Sequence, residues 1–154
     1  MANPLKELEL KVTGFQSLQE ISIAASPEKV WATLSNPNNW FGFDPDKSKW
    51  PKSKLELKAG GQWLMEAPDG TLSLMATITH IEPNKLIRFS GPIGLSHLPV
   101  NNVIIYELQP KDGGKSTLLR TGQRLFGFIT ADIEMNYKKG WEALLQSIKA
   151  NTEK

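Results

Sequence analysis

The chain changes its hydrophobic rhythm twice. From Phe15 to Ala25, "FQSLQEISIAA" sets Leu18, Ile21 and Ile23 in β-type sequence, which predicts a first strand with the character of a sheet edge. The polar residues 1–14 before it are expected to form a loose N-terminal segment. A short helical period follows. In "SPEKVWATLSNPNNW", residues 26–40, Ser26 is a good N-cap and Pro27 takes the first helical position, where a missing N–H costs nothing. Val30, Trp31 and Leu34 then share one face, and the Asn- and Pro-rich run stops the helix near Ser35. So short a helix is marginal alone and must cover a larger apolar surface.

Between Trp40 and Pro51, "WFGFDPDKSKWP" is loop chemistry with unusual aromatic weight. Asp44 and Asp46 fit a turn there better than a working carboxylate pair. Five alternating segments come next: "LELKAGGQWLMEA", "TLSLMATITHIE", "KLIRFSG", "VIIYELQP" and "STLLRTGQRL". The turn signals "PDG" at 68–70, "EPNK" at 82–85 and "KDGG" at 111–114 predict an antiparallel meander. "DGGK" lies between two strands with no helix after it, so it reads as a hairpin turn and not as a phosphate loop. The segment "GPIGLSHLPVNN", residues 91–102, is expected to be an ordered apolar loop at the mouth of a pocket.

From about Thr130 the period lengthens. Ile133, Tyr137, Trp141, Leu144 and Ile148 lie three or four apart, with Gly140 and Leu145 widening the same face, which predicts a long amphipathic helix. This order of elements predicts an α+β fold: a curved antiparallel sheet of six or seven strands wrapped on a long C-terminal helix, with short helices after the first strand. A strongly twisted sheet curls, and a helix across its concave side leaves a gap. The expected pocket is that gap, closed at one end by residues 26–40.

Composition narrows the partners. At 154 residues the chain suits one domain, 1–154, large enough for a core of its own. Eighteen basic against sixteen acidic residues give a net charge of +2 with no dense basic block, which argues against nucleic acid. The absence of cysteine removes disulfides, thiolate nucleophiles and sulfur-based zinc sites. No secretory signal and no membrane-length apolar run is present, so a cytoplasmic protein without stable membrane insertion is expected.

Five segments, "ASPEKVWATLSNPNNW", "KAGGQWLMEAPDGT", "ATITHIEPNKLIRFSGPIG", "VIIYELQPKDGGKSTLL" and "GWEALLQSIK", together resemble the START-like helix-grip (SRPBCC) superfamily. They span roughly Ile21 to Lys149 and are most similar to its polyketide cyclase and heat-shock ATPase activator-like branch. The resemblance implies an apolar internal cavity between the long helix and the loops. It does not imply a reaction, since the superfamily holds enzymes, carriers and regulators on one scaffold. The separate partner-binding domain that usually accompanies heat-shock activators is not expected within this length.

The candidate cavity lining follows from phase. Trp63 and Met65 alternate on one strand face, and Met75 joins them from the next strand. Tyr106 alternates with Ile104 and Leu108, so its ring points inward and its hydroxyl needs a partner. Tyr137 and Trp141 lie one turn apart on the inner face of the long helix, while Trp40 and His97 approach from the two loops. Leu119, Thr121 and Gln123 are placed inward, with Arg120 and Arg124 outward. His80 ends a strand without partners and reads as structural or solvated. With only two histidines and no ligand spacing, neither metal nor cofactor is expected.

Three readings follow. The first is a binding or carrier domain for a small hydrophobic or lipid-like molecule. The second is a cyclase or aromatase-type enzyme in which His97, Tyr106 or Tyr137 moves a proton, although no full catalytic set is apparent. The third is a regulatory module that binds a protein partner through its loop face around "WFGF". The edge strand permits pairing without requiring it, so a monomer or weak dimer is expected.

Overall fold

The computed structural model describes residues 12–154. Strand β1 (Thr13–Ile23) leads into helix α1 (Pro27–Leu34), and strands β2 (Lys52–Leu55), β3 (Gln62–Glu66), β4 (Leu72–Glu82), β5 (Leu86–Gly91), β6 (Val100–Lys111) and β7 (Ser116–Gly127) follow. Helix α2 (Ala131–Thr152) ends the fold. All seven strands form one antiparallel sheet in the order β1-β7-β6-β5-β4-β3-β2. Strands β2 to β7 are the expected meander, and β1 joins the far side by pairing with β7 from Thr13 opposite Gly127 to Ile23 opposite Thr117. The architecture is the α+β helix grip.

Local chemistry sets the element ends. The Ser26 hydroxyl accepts the Lys29 N–H at 3.3 Å, and Pro27 opens α1 as its sequence requires. The Thr130 hydroxyl accepts the Ile133 N–H at 3.3 Å at the start of α2, where Asp132 and Glu134 suit the positive end of the helix dipole. At the other end of α2, Lys149 donates to the Ser22 carbonyl at 2.7 Å and the Glu153 carboxylate accepts the Ala24 N–H at 2.8 Å. These bonds fasten the helix terminus to the end of β1.

Three boundaries differ from the sequence reading. Thr13 and Gly14 belong to β1, so the loose segment does not extend to residue 14, and residues 1–11 lie outside the described chain. Within β1, Ile21 and Ile23 face the core while Leu18 is on the outer face and exposed. The segment "LELKAGGQWLMEA" is not one strand. It breaks after β2 because Gly60 has a φ of +80°, and a Cβ on Gly61 would lie 2.0 Å from the Glu56 carbonyl oxygen.

The curl of the sheet has a visible cause. Trp63 opposes Ala76 and Leu64 opposes Leu74, so Met75 is an extra residue in β4, and a second irregularity falls between Ile78 and His80. Such bulges bend a strand and sharpen its twist. The first also turns Met75 and Ala76 both into the core, each 1% exposed. Helix α2 then fills the concave side, burying Trp141, Leu144, Leu145 and Ile148 against the sheet and against Val30 and Leu34 of α1.

Ile148 is fully buried at this junction. Ile148→Ala is expected to destabilise the fold by about 2–5 kcal/mol, lowering the urea midpoint while leaving the slope of the transition unchanged. Equilibrium unfolding followed by tryptophan fluorescence checks this.

Candidate ligand-binding site

The stretch from Ser26 to Trp40 ends by driving an indole into the centre of the grip. A 3₁₀ turn at Pro37–Asn39, capped by the Asn36 side chain, aims Trp40 inward until it is 1% exposed. Its indole N–H donates to the Leu34 carbonyl at 3.1 Å, which satisfies the one polar group of the ring. Ring centres of Trp63 and Tyr106 lie 6.0 Å away and that of Trp141 6.5 Å, all in tilted or edge-on arrangements. Trp40, Trp63, Met75 and Tyr106 are each 1% exposed. They fill the curl of the sheet instead of lining an open cavity, which moves the free space toward the mouth.

The open pocket lies there, between the outer half of α2 and two loops. Its volume of about 360 Å³ is at the small end of the range of roughly 300–1,000 Å³ usual for ligand sites. Phe41 and Phe43 enter from the first loop, and Ile93, Gly94 and Leu95 from the loop between β5 and β6. Helix α2 supplies Ile133, Tyr137, Gly140, Trp141 and Leu144. None of these residues is charged, and Asn136 completes the lining. At Gly140 the helix has no side chain, and a Cβ there would stand 3.7 Å from the Phe43 ring. A methyl group would fit there at ordinary contact distance, whereas a longer side chain would run into the Phe43 ring or the pocket.

Both loops are built to hold their apolar residues in place. Trp50 folds across Gly42, where a Cβ would overlap the indole ring at 2.0 Å, and its N–H donates to the Asp44 carbonyl at 2.7 Å. Asp44 and Asp46 are turn residues, accepting the backbone N–H groups of Asp46 and Ser48. In the second loop, Ile93 takes a φ of +37°, an unfavourable conformation for a β-branched residue. Its N–H donates to the Met75 carbonyl at 3.0 Å, and its carbonyl accepts the Tyr137 hydroxyl at 3.3 Å.

The expected lining residues therefore separate into groups. Tyr137 and Trp141 line the pocket, whereas Trp40, Trp63, Met75 and Tyr106 lie in the packed interior behind it. Met65 is half-buried and packs on the core from β3. His97 does not reach the pocket. Successive turns, from the Pro92 carbonyl to the Leu95 N–H and from the Leu95 carbonyl to the Leu98 N–H, carry Leu95 toward the pocket and leave His97 in solvent. His80 is exposed on the outer face, 2.9 Å from the Glu82 carboxylate, whose pKa the imidazole holds below the usual carboxylate value. Arg120 also faces outward, between Glu20 at 3.5 Å and Glu107 at 3.7 Å.

Residues 24–153 match the family described as "Activator of Hsp90 ATPase homolog 1-like protein". The chain belongs to that family. No curated protein matches the sequence. Among solved structures, this Hsp90-activator-homolog-like domain is similar to a protein from Rhizobium loti, with a TM-score of 0.70 and 18% identity over 92% of this chain and 99% of the other. It also resembles a conserved protein of unknown function from Enterococcus faecalis, with a TM-score of 0.68 and 21% identity over 91% of this chain and 72% of that one. A protein from Chromobacterium violaceum gives a TM-score of 0.66 and 19% identity over 90% and 97% of the two chains. These likenesses establish a shared START-like fold. Among the described residues no helix is long and apolar enough to cross a membrane.

In this member of the family the two interior tyrosines have no activating partner. The Tyr137 hydroxyl accepts the Asn102 side-chain N–H at 2.7 Å, and the buried Tyr106 hydroxyl faces only the Thr121 hydroxyl opposite it. Burial pushes the Tyr106 pKa well above its usual value and raises that of Tyr137, whose hydrogen bonds only partly oppose the shift. Both are neutral phenols at pH 7 and cannot serve there as bases.

The sign of the stability effect follows. The unfolded phenols lose protons near pH 10, before the folded ones, so the stabilisation is complete below about pH 10 and is lost as pH rises beyond it. Tyr106→Phe is expected to flatten this alkaline loss relative to the wild type. Urea midpoints between pH 8 and about pH 11 measure it, and equal falls for both proteins would contradict the assignment.

Proposed function

We propose that the domain binds or carries a small hydrophobic molecule in the pocket between α2 and the loops at 41–43 and 93–95. The carrying observation is the uncharged, mostly apolar lining on either side of Gly140, a helical position with no side chain to project toward Phe43. A glycine inside a helix costs about 1 kcal/mol relative to alanine, and the pocket is the feature that this position serves. The START-like scaffold, which binds ligands or acts in regulation, is consistent with that reading. A cyclase-type reaction has less support, because His97 stands in solvent and neither Tyr106 nor Tyr137 has a charged or imidazole partner with which to exchange a proton.

Titration with the neutral fluorophore N-phenyl-1-naphthylamine tests the proposal. Saturable binding to the wild type is expected, weakened about tenfold or more in Gly140→Leu, whose side chain fills the space beside Phe43. Leucine favours the helix more than glycine does, so the variant should fold at least as well. Absence of binding by the wild type, or equal binding by a folded Gly140→Leu, would sink the reading.

A further inference from the structure

Behind the pocket, the inner face of the sheet carries polar side chains that the fold leaves unused. On β6 and β7 alternate residues point inward, and besides Thr117 four of them are polar: Asn102 at 0% exposure, Tyr106 and Thr121 at 1%, and Gln123 at 2%. Tyr106 stands opposite Thr121, Gln123 opposite Ile104, and Asn102 opposite Leu125, so the four form one stripe of direct and diagonal neighbours. The Tyr106 and Thr121 hydroxyls have only each other across the ladder, in a contact too poorly aligned for a full hydrogen bond, while the Asn102 side-chain oxygen and both ends of the Gln123 amide have no hydrogen-bond partner. Thr117, two pairs further along β7, differs because its hydroxyl donates to the Ala25 carbonyl at 2.8 Å.

Buried polar groups are normally paired, because each unpaired one is costly where an apolar side chain of similar shape would pack freely. The stripe therefore points to a polar group that arrives from outside. Its position fits the pocket. Tyr137 both lines the pocket and accepts from Asn102, while the Trp141 ring lies 6.3 Å from that of Tyr106, so these two rings stand between the pocket and the stripe. The stripe contains donors and acceptors but no formal charge, and the arginines of β7 face outward. A buried carboxylate would find no counter-charge there, whereas a hydroxyl or carbonyl would find both donors and acceptors.

We infer that the ligand is a neutral, oxygen-bearing apolar molecule, such as a phenol, alcohol or ketone. Its oxygen bonds to Gln123 and the adjoining Asn102, Tyr106 and Thr121, and its body occupies the pocket once the Tyr137 ring turns aside. This inference rests on the reading of the pocket as a ligand site, and the experiment separates the two. Binding of 2-naphthol, 2-naphthoate and naphthalene at pH 7 is compared by calorimetry on the wild type, Gln123→Leu and Thr121→Val.

The wild type is expected to prefer 2-naphthol to both other compounds by about tenfold or more. In Gln123→Leu the preference over naphthalene should collapse while naphthalene keeps its affinity, and Thr121→Val, nearly equal in shape, gives the same readout should the first variant fold poorly. If naphthalene or naphthoate binds as well as naphthol, the polar inference fails and the pocket reading stands. If the variants gain thermal stability without changing the preference, the stripe is only structural and the inference fails. If none of the three compounds binds, the polar inference fails, and the pocket reading fails with it only where N-phenyl-1-naphthylamine does not bind either.

Discussion

The placement of Trp40 is the constraint on which the rest of the grip depends. Its ring sits where α1, the concave sheet and α2 converge, within 6.5 Å of the rings of Trp63, Tyr106 and Trp141, and its N–H is anchored to the last turn of α1. Protein interiors are packed to crystal-like density, so a ring of that size at the centre dictates where its neighbours stand. Trp141 tilts over it from α2, Trp63 meets it from β3, and Phe41, the next residue, is turned toward the mouth 4.9 Å from Trp63. The short helix, too weak to persist alone, is held because its C-terminal extension is buried so completely.

A filled centre changes what the scaffold offers a ligand. The free space lies at the outer end of α2, where Gly140 lacks a side chain and two loops are held over it by backbone hydrogen bonds and by the Trp50–Gly42 contact. The unfavourable backbone of Ile93 belongs to the same arrangement, being fixed from the sheet side by Met75 and from the helix side by Tyr137. Tyr137 thus joins three elements: the mouth loop, the long helix through its own backbone, and β6 through Asn102. A side chain with that many attachments is a natural place for the pocket and the polar interior to communicate.

Much of the scaffold was legible because its signals are local. The cap at Ser26, the 3.6-residue period of α2 and the turn chemistry at 68–70, 82–85 and 111–114 each depend on a few neighbouring residues. The outward placement of Arg120 and Arg124 and the inward placement of Thr121 and Gln123 followed from strand alternation. The pocket itself was legible only in outline. "WFGF" and "GPIGLSHLP" marked the right loops, yet which residue of each loop turns inward depends on successive tight turns, and so Leu95 reaches the pocket where His97 does not.

The sequence by itself determined the order and type of most elements, the α+β class and the absence of cysteine chemistry, because these rest on composition, period and capping, while the resemblance of five segments to a known superfamily supplied the helix grip. Tertiary structure alone decided three things. The extra residue at Met75 shifted the register of β4 against β3, an offset within the hairpin that alternation along either strand does not show. The aromatic rings filled the curl because their sizes sum against a fixed volume, a quantity no local pattern contains. The hydrogen-bonding deficit along Asn102, Tyr106, Thr121 and Gln123 emerged only when β6 and β7 were paired, the long helix was docked over them and the partners of each group could be counted. Alternation can tell that a side chain points inward, but whether it finds a partner there is a property of the assembled interior.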